Sequence, residues 1–139
     1  SIYYGDEVGL PGAHDPDNRR AFPWHDTSSW DTDLLHDFQR MIALRHAHRA
    51  LRWGSYHILH AADDVFVHAR QVEEELVVVA FNVAGYQRRV DVDLNPLGVD
   101  PGELTEAWSS NRVVLEAGVL RRLELAPRSA RVLIQSRVS

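Results

Sequence analysis

From Trp53 onward the chain falls into short runs whose apolar residues have a period of two, and that pattern points to an antiparallel β-fold. Val65-Val67, Val90-Val92-Leu94 and Leu123-Leu125 alternate with polar neighbours, as strands with one dry face do. Leu76 to Phe81 is apolar without a break, which suits a central strand covered on both faces. The spacing predicts seven strands: Tyr56–His60, Val65–Gln71, Leu76–Asn82, Arg88–Leu94, Leu104–Trp108, Val119–Leu125 and Ala130–Gln135. Turn residues separate them at Asp63-Asp64, Ala84-Gly85, Asn95-Pro96 with Gly98, Asp100-Pro101-Gly102, Ala117-Gly118 and Pro127. Short strands punctuated in this way read as a two-sheet antiparallel sandwich.

The first third follows other rules. Ile2-Tyr3-Tyr4 are β-formers stopped by Gly5, so Ser1 to Gly5 is expected to be a short buried strand. Asp6 to Trp30 holds Gly9, Pro11, Gly12, Pro16 and Pro23 among Asp, Asn, Ser and Thr, which is loop chemistry, and its length exceeds what a connector needs. Asp31 or Thr32 can cap a helix running to about His48. Its Leu34, Leu35, Phe38, Met41, Ile42 and Arg45 share one face, with Asp33 and Asp37 early and Arg45, His46 and His48 late, as the helix dipole favours. One strand cannot cover that face, so a larger body is expected upstream of Ser1, and the missing initiator Met fits a chain that begins inside a fold. The division falls near Ala50 to Gly54, giving residues 1–52 and 53–139.

Composition excludes several function classes. The net charge of -5 opposes binding along phosphate backbones, and the basic pairs Arg19-Arg20, Arg88-Arg89 and Arg121-Arg122 are short and read as solvated surface. No apolar run approaches the length of a membrane span, and no leader peptide opens the chain. With no cysteine there is no disulfide framework, thiolate site or Cys nucleophile, which fits a reducing compartment such as the cytoplasm. The eight histidines suggest no metal site: His46 and His48 diverge on a helix, and His57 and His60, three apart on a strand, face opposite sides.

The run Ile2-Tyr3-Tyr4-Gly5-Asp6-Glu7 resembles the eighth barrel strand of the α-amylase superfamily, glycoside hydrolase family 13. Asp15-Pro16-Asp17-Asn18-Arg19-Arg20, followed by Phe22-Pro23-Trp24, resembles the neopullulanase, cyclomaltodextrinase and maltogenic amylase branch. His48 to Gly54 is similar to the exit of the last barrel helix. The resemblance implies that residues 1–52 are the last strand, substrate loop and helix of a (β/α)8 barrel, and that residues 53–139 form the antiparallel Greek-key β-sandwich following it. It implies a parent that hydrolyses α-glucosidic bonds in maltodextrins, cyclodextrins, starch or pullulan by a retaining mechanism. The catalytic carboxylates and any calcium site would lie outside this chain, which would need no cofactor and would be inactive alone.

Retaining glycosidases place two carboxyl groups about 5 Å apart. Asp6 and Glu7 are adjacent on an extended chain and point to opposite faces, so they read as anchors of a strand end near the cleft rather than as catalysts. Asp15 and Arg19 suit sugar better: a carboxylate accepts from vicinal hydroxyls, and a guanidinium donates to sugar oxygens while holding the carboxylate. In the resembled branch an Asp and an Arg at this spacing line the glucose subsites. An Asp-Pro turn and an ion pair that merely pin the loop are the alternative. Tyr4 and Trp24 are candidates for stacking on sugar or for packing; Trp30, Trp53 and Trp108 read as packing. The sandwich aromatics Tyr56, Phe66, Phe81, Tyr86 and Trp108 sit mostly at positions that read as core, so the sandwich is expected to stabilise, with a stand-alone carbohydrate-binding module as the competing role.

Overall fold

The computed structural model describes residues 1–136; residues 137–139, the end of the expected sandwich, lie outside the described residues. The chain forms two compact units, Ser1–Arg45 and His46–Ser139. The unit boundary falls seven residues before the division read from the sequence, because the short helix α2 (Arg49–Trp53) packs on strands of the second unit.

The second unit carries eight strands: β1 (Ser55–Ala62), β2 (Val65–Val72), β3 (Glu75–Asn82), β4 (Arg88–Asp93), β5 (Gly102–Glu106), β6 (Arg112–Leu115), β7 (Val119–Leu125) and β8 (Ser129–Ser136). One sheet has the order β1-β2-β3-β8-β5-β6, the other is the β4-β7 pair, and every pairing is antiparallel. Val65, Val67, Ala69, Leu76, Val78, Ala80 and Leu133 of the large sheet meet Val90, Val92, Leu120, Leu123 and Leu125 of the small one in a single core. β3 is the central strand its composition predicts: Leu76, Val78 and Ala80 enter that core while Val77, on the opposite face, is also fully buried.

Turn chemistry sets the register. The β1–β2 hairpin closes with Asp63 and Asp64 alone, both at positive φ, the two-residue turn whose twist matches its strands. In the β6–β7 turn Ala117 and Gly118 are both left-handed, and a Cβ on Gly118 would collide with the Asn95 side chain. Asn82, nearly fully buried, accepts from the Ala84 N–H and donates to the Tyr86, Leu125 and Ala126 carbonyls. It fastens the end of β3 to the β7–β8 turn.

Several expectations are corrected. β6 was not among the seven strands expected, and β5 starts at Gly102 and stops at Glu106 instead of reaching Trp108. A bulge between Ile58 and His60 shifts the register, so His57 and His60 pair with Ala69 and Val67 and lie on the same face. The sandwich aromatics are not core: Phe66 lies between inward Val65 and Val67 and must point out, opposite Phe81. Tyr56 and Tyr86 are more than half exposed, and Trp53, expected to pack, is 76% exposed.

The first unit contains the helix α1 (Thr32–Ala47) up to Arg45, with Asp31 Oδ1 capping it through the Leu34 N–H at 2.9 Å. Ahead of it lie three short 3₁₀ turns, Asp6–Val8, Asp17–Arg19 and Thr27–Ser29, where the sequence predicts a loop. The strand expected at Ser1 to Gly5 does not form. A strand needs a ladder partner for its backbone groups, and none is present among the described residues. Instead Gly5 turns at a φ of 93°, its carbonyl accepting from Val8 and Leu10. Ile2, Tyr3 and Tyr4 are exposed, as are Met41 and Ile42 on the helix.

Candidate functional site

The loop unit gathers the residues singled out for sugar contact. Tyr4 donates its hydroxyl to the Arg20 carbonyl at 2.9 Å, closing the loop back onto its own start. The Tyr4 ring tilts against Tyr3 at 4.8 Å, and desolvation, followed by the Tyr3 hydroxyl, holds the Tyr4 phenol above its ordinary pKa. Asp15 and Arg19 meet each other at 3.3 Å, one helical turn apart, with both side chains about 70% exposed. An ion pair so open is worth little to stability. It presents a carboxylate and a guanidinium side by side to solvent.

Asp6 and Glu7 differ. Glu7 Oε2 accepts from the Gly5 N–H at 2.8 Å, bracing the turn where the strand was expected. Asp6 is among the residues lining an open cavity of about 440 Å³, with Tyr3, Tyr4, Leu10, Asp17, Asn18 and Arg20. Asp15 and Arg19 are not in its wall. Asp17 and Arg20 pair at 2.8 Å, and hydrogen bonding to Arg20, then its charge, holds the Asp17 carboxyl below the usual range. Nothing in the sequence separated the Asp17–Arg20 pair from the Asp15–Arg19 pair, since both are acid and base a few residues apart.

Farther along the loop, Phe22 tilts against Trp24 at 4.3 Å and meets Trp30 edge-on at 5.4 Å, while Trp30 Nε1 donates to the Pro23 carbonyl. Trp30 thus packs, and Trp24 remains 69% exposed. Among the described residues no three His, Asp or Glu side chains gather into a metal-sized group.

In the second unit, Glu75 clamps the start of α2: one oxygen lies 2.6 Å from His48 Nδ1 and the other accepts from the Ala50 N–H at 2.8 Å. The outward face of the large sheet stacks Tyr56 on His68 at 5.0 Å, with Phe66 and Phe81 alongside. Burial, and next the Arg70 charge, hold His68 below its ordinary pKa. His68 Nδ1 and Arg70 Nε are buried there without a hydrogen-bond partner.

The fold is therefore that of an all-β domain preceded in the chain by a polar loop and a helix. The chain belongs to the neopullulanase-like C-terminal domain family of the α-amylase superfamily, whose model matches residues 56–133. It is 32% identical over 129 residues to an amylopullulanase of Thermoanaerobacter thermohydrosulfuricus, a match covering 85% of this chain and 8% of that protein. To a cyclomaltodextrinase of a Bacillus species it is 41% identical over 83 residues, 58% of this chain and 15% of that one. Among solved structures, an Anoxybacillus α-amylase superposes with a TM-score of 0.81 at 26% identity, over 99% of this chain and 29% of its own. The chain thus spans less than a third of the length of each of these relatives.

Proposed function

We propose that this chain is the C-terminal portion of a glycosidase that hydrolyses α-glucosidic bonds in starch-type substrates by a retaining mechanism. On this reading residues 1–52 are the last strand, loop and helix of its barrel. One observation carries the reading. The amylopullulanase match covers 85% of the chain, a share that the sandwich unit, His46–Ser139, cannot fill by itself, so the likeness extends into the loop unit.

The division of labour follows from the residues. Asp15 and Arg19, side by side and open, are the sugar contacts, the carboxylate accepting from vicinal hydroxyls and the guanidinium donating to ring or hydroxyl oxygens. Tyr4, tied to the Arg20 carbonyl, holds the loop so that the pair is presented. On this reading the nucleophile and the acid/base belong to other parts of the parent enzyme, so the chain binds without hydrolysing. The sandwich stabilises the enzyme through its aliphatic core.

The test is direct. The purified chain, titrated with maltotriose in a calorimeter, is expected to bind weakly, and Asp15→Ala or Arg19→Ala to weaken that binding further. Reducing-end release from the same sugar stays at background. Hydrolysis that scales with chain concentration overturns the reading, as does a complete absence of binding.

A further inference from the structure

The outward face of the large sheet holds an imidazole in surroundings that suit only its neutral form. His68 stacks on Tyr56 at 5.0 Å and on Phe81 at 6.1 Å, with Phe66 at 5.7 Å. Its ring nitrogen Nδ1 is buried and has no hydrogen-bond partner among the described residues. A neutral ring can carry its proton on Nε2 and leave Nδ1 a bare lone pair, whereas an imidazolium carries a proton on both nitrogens. The added Nδ1–H is then a buried donor with no acceptor, on a group that has also become charged. Two places along the strand, on the same face, stands Arg70, a guanidinium whose Nε is likewise buried and unpartnered.

The neighbouring strands set no carboxylate against the ring. From β3 the register turns Val77, Val79 and Phe81 to this face, and from β1 Tyr56 and Ile58. On α2 and the residue before it, which lie against β2 and β3, His48 and Arg49 are matched by Glu75 and Glu74, and Arg52 is one more cation. Glu73, in the β2–β3 turn, is exposed. His57 and His60 pair with Ala69 and Val67 and lie on the other face. The strand on the far side of the stack is weakly held. β1 is the outermost strand of its sheet, bonded to β2 alone, and its ladder slips between Ile58 and His60. Tyr56 and Ile58 are more than half exposed, so little apolar burial secures this side of it. The Tyr56–His68 stack is a side-chain tie between the two strands, and Arg70 lies 6.0 Å from the same tyrosine ring.

We propose that His68 is an acid-sensitive latch on β1: the neutral ring holds Tyr56, and protonation beside Arg70, with no acceptor for Nδ1, releases the strand while the aliphatic core stays closed. The device needs no ligand and stands apart from the activity proposed above. Its direction follows from the ring's surroundings. Burial, then the Arg70 charge, hold His68 below its ordinary pKa. A histidine lowered on folding takes its proton more readily once its surroundings open. The latch is therefore at full strength above the ordinary histidine range and weakens as pH falls through that range toward the folded value. Because β1 follows α2 directly, acid loosens the segment by which the chain enters the sandwich.

Amide hydrogen exchange of the 139-residue chain, corrected for the intrinsic pH dependence of exchange, measures the latch. Between about pH 7.5 and about pH 5, the span across which histidines titrate, protection of the β1 amides is expected to fall about fivefold relative to those of β3. His68→Phe keeps an aromatic ring in the stack and cannot titrate, so its β1 protection is expected to stay level. The His68 ring itself, followed in 1H–13C spectra of the wild-type chain, is expected to titrate with a lower midpoint in the folded chain than in urea, a readout that needs no variant. An unchanged β1 protection in the wild type overturns the proposal. So does a rise, which attraction of an imidazolium to the ring faces would give. A fall that persists in His68→Phe overturns it too, since that fall belongs to His57 or His60. A His68 midpoint no lower in the folded chain than in urea has the same force.

Discussion

The two units of this chain are stabilised by different means. In His46–Ser139 aliphatic side chains from both sheets close on one another, and Leu76, Leu94, Leu104, Leu120, Leu125 and Leu133 are essentially water-free. In Ser1–Arg45 Val8 is the one buried apolar side chain among the described residues, and no residue of α1 is buried. That unit holds its shape through short-range bonds: Tyr4 to Arg20, Glu7 to Gly5, Asp31 to Leu34, and Asp17 to Arg20. Burial of apolar area stabilises by about 25 cal/mol per Å², whereas exposed pairs contribute a few tenths of a kcal/mol. The sandwich therefore carries the stability of the chain, and the loop unit carries the polar groups to which the proposed function assigns the ligand.

The largest test of this contrast is Asn82→Ala. It leaves three carbonyls and one N–H without their partner inside the sandwich, and is expected to cost about 3 kcal/mol in urea unfolding. A loss below about 1 kcal/mol would show that water replaces the amide and that the buried staple is not needed. Next is Gly118→Val, which forces a β-branched residue into a left-handed turn already filled by Asn95. A loss of about 2 kcal/mol is expected.

A smaller effect is expected from acid. Glu106 is largely buried beside Arg131; burial alone would raise its pKa, but hydrogen bonds from Arg131 and Ser109 and the Arg131 charge outweigh it and lower the value. A carboxyl lowered on folding contributes stability that is fully present above its unfolded pKa and lost as pH falls through the folded one. Melting temperature should therefore fall as pH drops below the ordinary glutamate range, and Glu106→Gln should flatten that fall. An unchanged slope would exclude this pair as its source. The smallest effect belongs to the loop: Asp15→Ala should change unfolding stability by less than about 0.5 kcal/mol, because its ion pair is open to solvent. A larger loss would mean that the loop is part of the cooperative unit after all.

What the sequence disclosed follows the same division. The large sheet was legible because Leu76 to Phe81 and the Val65-Val67 alternation carry their burial in their period, and Asp63-Asp64 marks its own turn. β6 escaped because Arg112 to Leu115 is four residues long, too short for a period to show. The facing of Phe66 and Phe81 was hidden because β3 is apolar on both sides, so composition could not say which side was in. The bulge after Ile58 has no sequence marker, and it reversed the relation of His57 to His60. Asn82 reads as one more polar residue at a strand end until its partners, two of them more than forty residues away, are placed around it. At the site, Asp15 and Arg19 were singled out by the resemblance, and the structure pairs them; their spacing alone did not set them apart from Asp17 and Arg20. The separation of Asp6 from Glu7, and the grouping of Asp6 with Asn18, depend on a turn at Gly5 that a β-forming sequence does not announce.

The most direct measurement is a titration of the isotope-labelled chain with maltoheptaose, read residue by residue in 1H–15N spectra. Shifts confined to residues 1–45, with the amides of Tyr56, Tyr86 and Trp108 unmoved, are the predicted result. Shifts centred on those sandwich aromatics, with Asp15 to Arg20 unmoved, would contradict the account and make the sandwich the carbohydrate-binding part of the chain.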